Sequence, residues 1–340
     1  MLIHTPRIIL VTGGCGFIGS NYIRRTLAND SSTLVINLDL LTYAGNIENL
    51  RDIEKSNRYV FVKGNITNAV LVKWIFDEYA PDTVIHFAAE SHVDRSISSP
   101  SKFIETNIMG TYNLLSVAHS AWGKRKDVRF HAISTDEVFG SLGDDGFFVE
   151  TSQYNPSSPY SASKASADHL VRAWHQTYNL PITISNCSNN YGPYQHPEKL
   201  IPLTINRAYK NLELPVYGNG RNVRDWLHVD DHCDAINAII RHADVGETFL
   251  ISGRNEWKNI DVVNLICDSI DSIDPKTNAR RENITFVSDR PGHDYRYAID
   301  PSHIKNVLGW EPKYTFKKGI QETIQWYVEN ASWIEKVTKE

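Results

Sequence analysis

Through the first half of the chain, short runs of aliphatic and β-branched residues alternate with longer stretches whose apolar positions recur every three or four residues. The short runs Ile8–Thr12, Leu34–Asp39, Tyr59–Lys63, Thr83–Ala88, Arg129–Thr135 and Ile182–Cys187 predict strands. The longer stretches Phe17–Leu27, Asn68–Tyr79, Lys102–Ala118 and Tyr160–Tyr178 predict the helices between them. Strands alternating with helices mean βαβ units with right-handed crossovers and a parallel sheet. Six such strands fit an α/β fold of the Rossmann type, a doubly wound parallel sheet.

The second half loses that rhythm. Proline and glycine punctuate Pro193–Pro202 and Pro215–Gly220, and the polar run Asp271–Asn283 predicts an exposed loop. Helices are expected at Asp261–Ile273 and Lys318–Lys336. The expected organisation is a cofactor-binding domain over 1–187, with possible returns near 225–250. A smaller, irregular substrate domain follows over 188–340.

Composition narrows the function mainly by exclusion. The 340 residues carry a net charge of −5, so no broad basic face exists for nucleic acid. An anionic ligand would have to be met by cations gathered locally. Cys15, Cys187, Cys233 and Cys267 are far apart with no CxxC pair, which suggests neither a disulfide framework nor a metal site and fits a reducing compartment. No stretch approaches the roughly 20 apolar residues of a membrane span. Ile8–Val11 runs into glycine too soon for a signal peptide. A cytoplasmic protein with no membrane partner is expected.

The run Val11-Thr12-Gly13-Gly14-Cys15-Gly16-Phe17-Ile18-Gly19 follows a strand and opens a helix. Its glycines at 13, 16 and 19 suit a tight turn, close approach of a pyrophosphate to the backbone, and helix–sheet packing. The helix N-terminus adds free N–H groups and a positive dipole end. Asp39 ends the second strand, where an acid holds ribose hydroxyls and repels a 2′-phosphate. The cofactor expected is NAD rather than NADP.

Tyr160 and Lys164 stand four apart on one helix face. An ammonium beside the phenol is expected to lower its pKa from about 10, making Tyr160 a base toward a substrate hydroxyl. Ser134-Thr135-Asp136-Glu137 falls at the C-terminal end of the fifth strand, the sheet edge where such folds bind ligands. Thr135 can hydrogen-bond the hydroxyl being oxidised. Two adjacent carboxyls exceed what hydride transfer needs, whereas water elimination calls for a general acid and a general base. Their proximity also separates their pKa values. Read residue by residue, a packed tyrosine beside a surface lysine and a solvated acidic turn remain the alternatives.

These residues together resemble the extended short-chain dehydrogenase/reductase family and, within it, the dTDP-glucose 4,6-dehydratases. The resemblance runs through 41–46 (LTYAGN), 88–94 (AAESHVD), 134–140, 186–194, 196–202 (HPEKLIP), 222–226 (NVRDW) and 289–294 (DRPGHD). It implies NAD-dependent oxidation at C4 of a nucleotide-linked glucose by Tyr160, Thr135 and Lys164. Elimination of water across C5 and C6 would use Glu137 as base and Asp136 as acid, and hydride return to C6 would regenerate NAD. It implies NAD contacts at Gly13, Gly16, Phe17, Ile18, Gly19, Asp39, Thr42, Asn65, Ile66, Ala88, Ser91, Thr106, Tyr160, Lys164 and Asn190. Substrate contacts are implied at Ser91, Thr135, Asn189, Lys199, Tyr217, Arg224, Asn259, Arg290 and His293, together with a homodimer built on the helices at 102–118 and 160–178. Arg224 and Arg290 also suit a diphosphate on their own chemistry.

Three positions depart from the family pattern. Asn65 stands where an aspartate is usual, Phe139 where a tyrosine is usual, and Leu40 where a lysine often follows the ribose-binding acid. The competing readings are a dehydratase acting on UDP- or CDP-glucose, a 4-epimerase, and a non-catalytic cofactor sensor on the same fold. The acid–base pair disfavours the epimerase. Joint retention of Thr135, Asp136, Glu137, Tyr160 and Lys164 disfavours the sensor.

Overall fold

The structure, a computed structural model, describes residues 3–275 and 278–338. Its strands in chain order are β1 (Ile8–Thr12), β2 (Leu34–Asp39), β3 (Tyr59–Lys63), β4 (Thr83–His86), β5 (Arg129–Thr135), β6 (Ile182–Cys187), β7 (Asn189–Tyr191), β8 (Leu214–Tyr217), β9 (Val223–His228), β10 (Thr248–Ile251), β11 (Glu256–Lys258) and β12 (Ile284–Val287). The central sheet has seven strands rather than six, in the order β10-β6-β5-β4-β1-β2-β3. All its pairings are parallel. The strand order reverses between β1 and β4, and that crevice is where open α/β sheets take ligands.

Alternation along each strand builds two cores, one on each face of the sheet. Leu10, Ile36, Val84, Phe130 and Ile184 point to one face with Leu114 and Leu115. Ile9, Val11, Val35, Ile85 and Ile133 point to the other with Val229, Ile236 and Ile240. A third core in the second half joins Tyr191, Val216, Trp226, Ile266, Phe316 and Ile324. It lies by a three-stranded sheet, β11-β9-β7, and a two-stranded one, β12-β8.

Several expectations change in detail. The stretch expected as one helix over 102–118 is instead a short helix at Pro100–Phe103, a π-helical turn at Ile104–Gly110 and a helix at Thr111–Trp122. Asn107 in that turn explains the irregularity: its amide accepts from the Glu90 N–H (2.9 Å) and donates to the Glu90 carbonyl (3.0 Å) and Ser163 Oγ (2.8 Å). The last helix breaks at Asn330 into Phe316–Glu329 and Ala331–Val337. The polar run 271–283 is not simply a loop. Helix Asn259–Ile273 enters it, and Arg280 is wholly buried, held by Asp271 (2.6 Å) and Asp274 (2.8 Å); Lys276 and Thr277 lie outside the described residues.

The chain's end returns to the first domain's turn. Trp333 Nε1 donates to Asn49 Oδ1 (3.0 Å), and Asn49 Nδ2 donates to the Cys15 carbonyl (2.8 Å). Among the described residues no helix is long and apolar enough to cross a membrane.

Candidate active site

The glycine turn leaves β1 with Gly13 at φ +72°. A Cβ there would sit 2.6 Å from the Ala88 backbone, and one on Gly19 would sit 2.5 Å from the Gly13 carbonyl. The turn is therefore tight against β4 and against its own helix, Phe17–Asn29. Asp39, at the end of β2, is buried and accepts from the Cys15 N–H and the Leu41 N–H (both 2.8 Å). Burial raises its pKa, while those two N–H groups counter the rise. The carboxylate lies in the wall of an elongated cavity of ≈ 310 Å³.

That cavity brings together Gly13, Gly16, Phe17, Ile18, Gly19, Asp39, Thr42, Asn65, Ile66, Ala88, Ser91, Thr106, Thr135, Asp136, Glu137, Tyr160, Lys164, Asn189, Asn190 and Lys199. An adjoining cavity of ≈ 340 Å³ shares Ser91, Glu137, Asn189, Asn190 and Lys199 and adds Tyr217, Arg224, Asn259, Arg290 and His293. Every site residue expected from sequence thus lines one of two joined cavities. Asn65 Oδ1 accepts from the Thr67 N–H (3.0 Å), which leaves its amide hydrogens free toward the cavity. Phe139 packs on Phe148 and Tyr154 at about 5 Å between ring centroids. A hydroxyl there would enter an apolar cluster of Val138, Ala165, Leu250 and Ile299.

The reactive wall is set by two caps. Thr135 Oγ1 accepts from the Glu137 N–H (3.2 Å) and so starts the 3₁₀ turn Asp136–Phe139 at the end of β5. Ser158 and Ser161 form a capping box, with Pro159 at the first position of helix Pro159–Tyr178. That fixes Tyr160 and Lys164 on the helix face turned to β5. Asp136 is buried, and its Oδ2 has no partner within the chain. Burial, then the nearby Glu137 and Asp225, raises its pKa well above the ordinary carboxylate value. Burial also raises Glu137, but Arg290, Arg224 and Lys199 hold it back. The two adjacent carboxyls are thus both raised by burial and are perturbed by different neighbours.

The expected lowering of the Tyr160 pKa is not found. Burial raises the phenol well above its ordinary value, Glu137 adds to the rise, and the Thr135 hydroxyl only partly offsets it. The Lys164 ammonium gives one of its three N–H groups to the Ile133 carbonyl (2.7 Å). Its own pKa is lowered by burial, with the buried Asp168 opposing. Asp168 in turn accepts from Ser134 Oγ and Tyr154 Oη (both 2.8 Å) and from Asn186 Nδ2 (3.3 Å).

The second cavity is cationic at one wall. Arg224 is 5% exposed, and three of its five N–H donors go to the carbonyls of Val223 (2.7 Å), Tyr295 (3.2 Å) and Asp294 (2.9 Å). Its guanidinium stacks on the Tyr297 ring at 4.2 Å. Asn189 Oδ1, Asn259 Oδ1 and Arg290 Nε are buried there without a partner in the chain. Orphan polar atoms in a cavity wall are what a polar ligand satisfies.

Comparison with known proteins decides the family. The family model described as GDP-mannose 4,6 dehydratase matches residues 10–323. The curated dTDP-glucose 4,6-dehydratase of Salmonella typhimurium is 53% identical over 343 residues, covering 97% of this chain and 95% of that one. The chain belongs to the dTDP-glucose 4,6-dehydratase family. Among solved structures, the family's enzyme from Streptomyces venezuelae, with NAD bound, is similar at a TM-score of 0.91 and 44% identity, covering 97% of this chain and 100% of that one. The Bacillus anthracis enzyme in complex with NAD is similar at a TM-score of 0.88 and 45% identity, with 97% and 99% covered.

Sequence reasoning missed Tyr297 and Asp168. Tyr297 lies three residues beyond the 289–294 segment and needed the fold to reach the cavity. Asp168 was detectable as a carboxyl four residues after Lys164 on the same helix face.

Proposed function

We propose that this chain converts dTDP-glucose to dTDP-4-keto-6-deoxyglucose and water, with NAD as its resident cofactor. The observation that carries the reading is the convergence of Tyr160, Thr135, Asp136 and Glu137 on one cavity wall, beside a second cavity with cationic groups. In this reading 1–187 holds NAD and 188–340 holds the nucleotide sugar. Gly13, Gly16 and Gly19 admit the pyrophosphate. Asp39 holds the adenosine ribose, and Thr42, Asn65, Ile66, Ala88, Thr106 and Asn190 line the rest of the groove. Lys199, Tyr217, Arg224, Arg290 and His293 face the diphosphate and base of the substrate, with Asn189 and Asn259 beside them.

When bound, NAD takes the hydride from C4 and returns it to C6. Tyr160 takes the proton of the C4 hydroxyl, which Thr135 orients. The C4 ketone acidifies the C5 hydrogen, and Glu137 removes it as a proton. Asp136 gives its proton to the C6 hydroxyl, which leaves as water as the C5–C6 double bond forms. Glu137 then reprotonates C5. The proton gained by Tyr160 replaces the one lost by Asp136, so the sum over the cycle is one water. Because its hydride acceptor is regenerated each turn, the cofactor need not exchange.

A homodimer is part of the proposal. Ile104, Met109, Tyr112 and Tyr178 stand exposed on the segments 102–118 and 160–178, and Trp174 packs with Tyr112 and Tyr178. A second copy of the same face would cover them. A cytoplasmic location is supported by four free, buried cysteines. The decisive assay incubates purified protein with dTDP-glucose and follows the alkali-generated chromophore of a 4-keto sugar. No chromophore, with NAD bound, would overturn the reading.

A further inference from the structure

Asp94 stands near the start of the short helix Val93–Ser98, on the cofactor side of the second cavity. Across that cavity, Tyr217 ends β8 and Arg290 lies in the loop after β12. Tyr217 Oη donates to Asp94 Oδ2 (3.1 Å), and Arg290 Nη1 reaches Asp94 Oδ1 (3.5 Å). One carboxylate therefore engages two of the groups assigned to the substrate's diphosphate and base, one oxygen to each. Arg290 lines the cavity, is only 20% exposed, and its Nε has no partner among the described residues. A carboxylate and a phosphate oxygen compete for the same guanidinium fork and the same phenol hydrogen.

We propose that Asp94 is a specificity-determining residue: a resident anion that occupies Arg290 and Tyr217 until a nucleoside diphosphate displaces it. This inference rests on the assignment of those two side chains to the diphosphate. It separates ligands by the strength of their anion. A diphosphate replaces both contacts of the carboxylate and adds charge. A neutral nucleoside engages neither group and leaves Asp94 in place. The same competition speeds product departure, because Asp94 returns to Arg290 and Tyr217 as the diphosphate withdraws. Asp94 also ties the helix at 93–98 to β8 and to the loop bearing Arg290 and His293, so displacing it frees the two cavity walls to adjust around the ligand.

The test is calorimetric titration of the NAD-loaded protein with dTDP and with thymidine. Asp94→Asn removes the anion and keeps the side chain's size. It is expected to tighten dTDP about fivefold, as for a partly exposed ion pair, and to leave thymidine unchanged. Arg290→Ala should weaken dTDP, and Asp94→Asn placed in that background should lose most of its effect, since the carboxylate then has no guanidinium to occupy. If Asp94→Asn weakens dTDP or leaves it unchanged while Arg290→Ala weakens it, the resident-anion role is wrong and the diphosphate assignment stands. If Arg290→Ala leaves dTDP unchanged, the assignment itself fails. If the gain from Asp94→Asn persists in the Arg290→Ala background, Asp94 acts only as a general negative charge and the displacement is refuted. Asp94→Ser, tested beside Asp94→Asn, separates loss of the anion from any effect of the amide.

Discussion

The two cavities are built from different material. In the first, Asp39, Thr135, Asp136, Tyr160 and Lys164 sit on strand ends and on one capped helix, and all five are buried. In the second, Tyr217 is 44% exposed at the end of a four-residue strand, and Arg290 and His293 ride on the loop after β12. Bond-making groups are held by a rigid parallel sheet, where a displacement of an ångström is costly to the rate. Of the groups proposed for recognition, Arg290 and His293 lie on a loop that can adjust to a ligand, whereas Arg224 is buried in β9. Burial is the first cause of the raised pKa values of Asp136, Glu137 and Tyr160 in the first cavity, while at the second Tyr217 and Arg290 each meet Asp94.

The hardest test of that contrast removes a group from the rigid half. Tyr160→Phe should lower kcat by about 10²–10⁴ while NAD stays bound, as expected for a general base on a preformed wall. A parent-like kcat would move the base elsewhere. Next comes the core of the other half. Arg280→Ala leaves Asp271 and Asp274 facing an unfilled guanidinium site and should cost about 3–5 kcal/mol in denaturant unfolding. Unchanged stability would mean that the second half is not held by this ion cluster.

Turnover should depend on pH with two limbs. Glu137 must be ionised to take the C5 proton, so the rate falls as pH drops through its raised pKa. In the proposed cycle Asp136 must keep its proton, so the rate should also fall as pH climbs through its own raised pKa. Asp136→Asn should slow elimination and abolish the alkaline limb; an alkaline limb that survives in that variant assigns it to another group. The smallest expected effect is on stability. Because the folded pKa of Asp136 is raised, its contribution is fully present below the unfolded carboxyl's pKa and is lost as pH rises through the folded one. Asp136→Asn should therefore stabilise the protein at pH 8 by about 1 kcal/mol and have little effect at acidic pH, measured as the change in thermal midpoint.

Much of the first half was legible because its strands are short, almost wholly buried runs rich in β-branched and aliphatic residues. β1, β2, β3, β5 and β6 begin and end where the β-branched runs do. β4 stops at His86, since Phe87 and Ala88 already turn toward the cavity. The seventh strand, Thr248–Ile251, is four residues and gives almost no period to read. The π-helical turn was hidden because its cause, Asn107 bonded to the Glu90 backbone, is a contact 17 residues apart. Arg280 reads as one more charge in a polar run, and only the fold buries it. The residues that line the two cavities were legible by motif, but the raised pKa of Tyr160 was not. A spacing of four places Lys164 on the right face and says nothing of the Ile133 carbonyl that takes its proton donor.

The path from Trp333 through Asn49 to the Cys15 carbonyl has a consequence for biosynthesis. Trp333 and Asn49 stand 284 residues apart, so the ribosome delivers the glycine turn well before its outer brace. A nascent chain that has not yet reached Trp333 carries that turn without its strut, so loading of a cofactor proposed to sit there should wait until that residue has been made.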